Sequence, residues 1–325
     1  MNPAFSVIFL TTLIGVGQGL FLALITGQSY AAVELLPAQD SVRFYGLGSA
    51  LALAFLAAGL VASFFHLGHP ERAWRSAARW RTSWLSREVI VLPLVMGLAL
   101  IYGAMHFMGW DTVLLRSEGG AQLSASLAVG ILGTVATFAL FVCTGMIYAC
   151  IKFLQEWSSP LTVINYILLG GASGFVLAAA FAYYAAPDLL RFFGVWAIII
   201  TSMAFVFRAA SLIRNARIKY RSSPQTAIGV RHRHIAQKSQ GAMGGSYNTR
   251  EYFHHRSRVF LKSVKWIFLV LVFPVPIALL LYGMGAGSGP LLLGAFIVQY
   301  LGLIAERWFF FAQANHPQNL YYQIV

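Results

Sequence analysis

Uncharged, apolar runs alternate with short polar stretches along the whole chain. Each run is about 20 residues long, the length that crosses a bilayer as a helix. They predict eight spans, roughly 5–30, 44–66, 89–109, 122–150, 161–184, 188–213, 260–284 and 288–311. The fifth and sixth are parted only by a turn near Pro187–Asp188, because one helix over both would far exceed the bilayer. The expected architecture is an all-α integral membrane protein, one polytopic domain over 1–325 with both termini on the same side. No internal repeat stands out.

Composition supports this reading. The chain has 325 residues, 58% of them hydrophobic and 10% charged, against about 25% charged in a soluble domain. Mean hydropathy is +0.70. The net charge of +13 would raise nucleic-acid binding in a soluble protein, but no nucleic-acid motif accompanies it. The charge is instead sorted by loop. Of the 23 Lys and Arg, only Arg43, Arg116 and Arg191 fall with the loops after spans 1, 3, 5 and 7. The other 20 fall with the loops after spans 2, 4 and 6 or with the C-terminal end, Arg208 and Arg307 included. Basic residues gather on the cytoplasmic side of membrane proteins, so both termini are expected to be cytoplasmic in an inner membrane. The opposite loops are short and carry Glu34, Asp40, Asp111, Glu118 and Asp188. The first 33 residues hold no Lys or Arg, so the basic flank of a secretory signal is missing. Cys143 and Cys150, seven apart, read as packing residues on one helix face, and no cysteine cluster offers a zinc or iron–sulfur site.

Two of the cytoplasmic connections stand out: a short one over 67–87 and a long basic one over 214–259. Within the long one, Gln240–His255 begins Gly-rich and reads either as a flexible linker or as a segment ordered by a partner. The short one follows His66, at the end of span 2, where Gly68 and Pro70 break the helix. An imidazole at a membrane edge can cap a helix dipole. It can also donate a hydrogen bond to a carbonyl and pass protons near neutral pH. Arg72, Arg75 and Arg79 share a face if Glu71–Arg79 is α-helical. With Arg81 and the interleaved Trp74, Trp80 and Trp84, they suit either a membrane-surface anchor or a dock for an acidic subunit. Glu88 opens span 3, where it suits a helix N-terminus or a proton relay. Glu306 and Arg307 lie in the last turns of span 8, to snorkel or to pair, and Gln18 sits mid-span among glycines. The spans offer only His66 and His106 as haem ligands, at opposite ends, so no haem is expected.

The stretch His66–Glu88, "HLGHPERAWRSAARWRTSWLSRE", resembles the anchor subunit family of dimethyl sulfoxide reductase, as does "LIAERWFFFA" over Leu303–Ala312. Gln18 matches a Gly-Gln pair in that family's first helix. The resemblance is most specific over 63–93 and 303–312, and the eight spans extend it over nearly the whole chain. It implies a non-catalytic subunit that binds an iron–sulfur (ferredoxin-like) subunit and, through it, a catalytic subunit with a molybdenum bis-pterin centre. Such an anchor passes electrons between that chain of clusters and ubiquinone or menaquinone. The family's quinone-site histidine falls on His66 and its carboxylate on Glu88, with Arg72, Gln18 and Arg307 as further quinone-binding candidates. Arg75, Arg79, Arg81 and Trp84 are the docking candidates. With the docking face cytoplasmic, "HLGHPERAWR" and "ERWFFFAQANHP" resemble the sulfite-oxidising (sulfite:quinone oxidoreductase) branch. The alternatives are an anchor that oxidises quinol for a dimethyl sulfoxide reductase-type complex, a secondary transporter, a haem-bearing anchor and a purely structural tether. The nearly charge-free middle of the membrane region speaks against transport.

Overall fold

The structure, a computed structural model, describes residues 1–116, 120–232, 234–236, 238 and 252–321. Among them are eight spans long and apolar enough to cross a membrane. They are built from α1 (Phe5–Ala32), α2 (Leu47–Phe64), α3 (Trp84–Met108), α4 (Ala125–Ala149), α5 (Pro160–Ala185), α6 (Leu190–Ala216), the pair α8 (Arg258–Val272) and α9 (Pro274–Ala286), and α10 (Gly289–Ala312). A π-helical turn, Ser41–Gly46, leads into α2. Two short helices, α7 (Pro224–Ile228) and α11 (Pro317–Tyr321), follow α6 and α10. A small antiparallel hairpin, β1 (Val113–Arg116) with β2 (Gln122–Ser124), joins α3 to α4. With an even number of spans, the start of α1 and the end of α10 lie at one end of the bundle, here called the terminal end; the hairpin marks the other.

Local chemistry sets the helix ends. Ser83, Ser124, Ser159 and Ser257 cap α3, α4, α5 and α8, their hydroxyls accepting backbone N–H groups that have no partner inside the helix. Gly109 and Gly287 adopt left-handed φ of 67° and 59° at the ends of α3 and α9. Pro187–Leu189 forms the expected turn between α5 and α6.

Three expectations need correction. Span 3 starts at Trp84 rather than near 89 because Ser83 supplies the cap, so Glu88 lies more than a turn inside the helix and does not cap it. Span 7 is two helices, broken where Pro274 supplies no N–H to continue α8. The Pro70–Arg79 segment is a 3-10 helix, not an α-helix. At three residues per turn Arg72 and Arg75 stay aligned, but Arg79 swings about a third of a turn away. Of the Gln240–His255 stretch, 240–251 lies outside the described residues, as does Glu118.

The bundle is built around α1 and α5. Their most apolar windows are 83% and 78% buried within the protein, against 50% or less for the other spans. The two helices meet through glycine: Gly15 and Gly19 of α1 lie on Gly170 and Gly174 of α5. A Cβ on Gly174 would collide with the backbone of Gly19 and Leu20. Such small-xxx-small pairs let helices approach closely where the solvent is lipid and apolar burial alone drives little association. The remaining spans pack around this pair, with α2 against α1, α6 against α5 and α8 against α10.

Gly174→Ala is therefore expected to lower the thermal unfolding midpoint of the purified chain in detergent, at a cost of about 1–3 kcal/mol from overpacking. Gly97→Ala, where the added methyl meets open space, should not lower it.

Candidate functional site

Because α1 is held against α5, its inward face supplies one wall of a narrow cavity near the terminal end. Thr11, Thr12 and Gln18 come from α1, Glu88 from α3, Thr144 from α4, Tyr166 and Ser173 from α5 and Arg307 from α10. The space open to water inside it is about 20 Å³, room for about one water molecule. The Thr144 hydroxyl donates to Glu88 Oε1 at 2.5 Å. Gln18 Nε2 donates to the Thr137 carbonyl of α4 at 3.2 Å, as a mid-membrane amide bonding a neighbouring helix should. The Arg307 guanidinium lies 3.9 Å from the centre of the Tyr166 ring. Such a desolvated cation–π contact is worth about 2 kcal/mol.

Arg307 does not snorkel. It is buried together with its neighbour Glu306, whose Oε2 lies 3.4 Å from Arg307 Nε. Glu306 Oε1 reaches Arg208 Nε of α6 at 2.7 Å, both side chains being 1% exposed. Arg208, grouped above with the charges of the terminal end, is thus inside the bundle, with the Phe268 ring 5.3 Å from its guanidinium. Two arginines and one glutamate leave a surplus of one positive charge. Glu88 is the carboxylate that shares the cavity with Arg307. An uncompensated buried charge costs several kcal/mol, so Glu306, shared between the two arginines, is the residue that holds this group together.

The sequence-derived candidates therefore divide into two sets. Gln18, Glu88 and Arg307 converge on the cavity. His66 and Arg72 do not: both are exposed, His66 just past the end of α2 and Arg72 in the 3-10 segment. Partial desolvation holds the His66 pKa below its ordinary 6.5, so the ring is neutral at pH 7. Arg75, Arg79 and Arg81 are also exposed, and Trp84 is half-buried beneath the Arg87 guanidinium at 4.1 Å. Arg87 also donates to the carbonyls of Trp80 and Arg81, both at 2.9 Å, and so fastens the arginine-rich segment to the first turn of α3. At the far end of α3, His106 is buried with its Nδ1 2.6 Å from Ser41 Oγ, in the half of the bundle opposite His66. Cys143 is buried, whereas Cys150, at the end of α4, is exposed and does not pack as expected.

Sequence reasoning missed Arg208, Thr144 and Tyr166. Arg208 carried a usable signal, since a lone arginine within an apolar span needs a partner and Glu306 was available. Thr144 and Tyr166 carried none, because hydroxyls are common in such helices.

A bundle of eight apolar spans with buried ionisable residues near one end is an integral membrane protein. Residues 1–311 match the family described as DMSO reductase anchor subunit (DmsC), and the chain belongs to that family. It is also 58% identical to a sulfite dehydrogenase subunit of Allochromatium vinosum, a match that covers 100% of both chains. Membership in this family implies an iron–sulfur and a catalytic partner subunit.

Glu306→Gln should leave Arg208 buried without a counter-charge and destabilise the protein by about 3–5 kcal/mol. Thermal unfolding in detergent should show this as a clear drop in midpoint. The paired replacement Arg208→Met with Glu306→Leu should recover most of the loss, because it removes the charges together.

Proposed function

We propose that this chain is the quinone-reactive anchor of a sulfite-oxidising molybdoenzyme complex, taking electrons from an iron–sulfur subunit and passing them to the quinone pool. Its terminal end faces the cytoplasm in this reading. The sorting of Lys and Arg supports that orientation, and the name of the Allochromatium relative supports sulfite as the substrate of the catalytic partner. The observation that carries the proposal is the convergence of Gln18, Glu88 and Arg307, from three helices, on one buried cavity at the end that bears the arginine-rich segment.

Oxidation of sulfite with water to sulfate, in the partner, releases two electrons and two protons. Reduction of a quinone to its quinol consumes two of each. A cavity of about 20 Å³ admits a water but no quinone ring, so the headgroup stands outside it on the His66 side. The neutral His66 ring carries one N–H and donates it to a quinone carbonyl. Glu88, backed by Thr144, delivers protons from the cavity. Arg307, held by Glu306 and Tyr166, stabilises the negative charge that develops as electrons arrive. Arg72 is the cation available on the exposed side. Arg75, Arg79, Arg81 and Trp84 receive the iron–sulfur subunit. Electrons and protons arrive from the same side, so little charge crosses the membrane.

The test compares sulfite oxidation by the whole complex with a quinone and with a soluble dye as acceptor. Glu88→Gln is expected to slow quinone-linked turnover by about 10²–10⁴-fold, the usual weight of a positioned acid–base group, while dye-linked turnover is retained. His66→Ala should likewise remove only the quinone-linked activity. Quinone-linked turnover at the wild-type rate in both variants would overturn the reading.

A further inference from the structure

A second cavity lies outside the charged cluster, on the flank of the bundle where α8 and α10 pack at the terminal end. Its volume is about 370 Å³, within the range of about 300–1,000 Å³ typical of small-molecule pockets. Its depth is apolar, walled by Phe260 and Val264 of α8 and by Leu301, Ile304 and Trp308 of α10. Leu301 and Phe260 are 54% and 43% exposed, so the cavity is open on the side that faces lipid. Its rim is polar and carries His254 and Arg256.

The rim is also positively charged. Arg256 is exposed, and no carboxylate among the described residues pairs with it; its guanidinium rests 5.6 Å from the Phe260 ring. Arg258, Lys262 and Lys265 continue the charge along the first turns of α8. His254 Nδ1 accepts the backbone N–H of Arg256 at 3.0 Å, so the proton of the neutral ring sits on Nε2, which is a donor. Partial burial, then neighbouring positive charge including that of Arg256, pushes the His254 pKa down to about 4. The ring therefore stays neutral at pH 7 and offers a hydrogen bond without adding charge. A greasy slot open to the bilayer, topped by a free guanidinium and an N–H donor, is complementary to an acyl chain whose headgroup is anionic.

We propose that the α8–α10 cleft is a binding site for an anionic phospholipid, with one acyl chain along Phe260, Val264, Leu301 and Trp308 and the phosphate held by Arg256 and His254 Nε2. The site is separate from the Glu88 cavity, shares no residue with it, and does not depend on the quinone reading.

Trp308, on the cavity wall, is a built-in reporter. The full chain, purified and delipidated in detergent, is titrated with phosphatidylglycerol or phosphatidylcholine carrying a bromine-labelled acyl chain. The quenching that is lost in Trp308→Phe isolates this one of the eight tryptophans. Phosphatidylglycerol should half-saturate the Trp308 signal at a concentration at least about fivefold lower than phosphatidylcholine, the weight of one basic residue near a membrane surface. Arg256→Gln should erase that preference, and Lys152→Gln, outside the cleft, should keep it. In the unaltered chain, 1 M salt should also shrink the preference, which keeps the test valid if the variant folds poorly. Equal quenching by the two lipids at low salt would overturn the proposal. So would displacement of phosphatidylglycerol by a short-chain quinone at lower concentration, which would make the cleft a quinone site instead.

Discussion

The close approach of α1 and α5 through four glycines is the contact on which the rest of the structure depends. In a bilayer, apolar side chains gain little by leaving lipid for protein, so helices associate where backbones can touch and polar groups can pair. The glycine seam meets the first requirement. It draws the N-terminal helix from the edge of the chain's order into the centre of the bundle, where most of its surface is covered. That position turns Thr11, Thr12 and Gln18 inward, against helices that come from much later in the sequence.

The second requirement is met at one end only. Arg208, Glu306, Arg307 and Glu88 bring four ionisable groups from α6, α10 and α3 into a protein interior surrounded by hydrocarbon. Removing such groups from water is expensive, and a hydrophobic replacement of the set would pack at least as well. Stability alone does not account for their presence. Two guanidinium groups that share one carboxylate respond to any added electron or proton nearby, because the low dielectric amplifies a charge imbalance. The aromatic rings of Tyr166 and Phe268 against the two guanidinium groups temper the desolvation without adding charge.

Much of this architecture was legible in the amino-acid order, and the reason is physical. The bilayer imposes a length on every apolar run, so eight spans and the Pro187 turn follow from counting. Features decided by one hydrogen bond or one ring were less visible. Ser83 moved the start of α3 by five residues and carried Glu88 from the helix end to the interior. Pro274 divided span 7, although its sequence reads as one apolar run. The spacing of Arg72, Arg75 and Arg79 suited an α-helix, but the segment winds more tightly and separates the third arginine from the first two. Gln18, Glu88 and Arg307 were recognisable one at a time as polar groups in the wrong solvent. Their place in one site came only from the family resemblance, because their meeting joins residues far apart in the chain through helix packing that no local pattern encodes. His66 and Arg72, picked out together with them, are exposed and do not line the cavity.

The clasp of Arg87 on the carbonyls of Trp80 and Arg81 has a mechanical consequence. Glu88 is the next residue along the same helical turn, so the exposed arginine-rich strip and the buried carboxylate are two ends of one short lever. Strain placed on the strip therefore reaches the base of α3 through Arg87, one residue from the carboxylate that Thr144 holds. A single arginine thus ties what is exposed to what is buried.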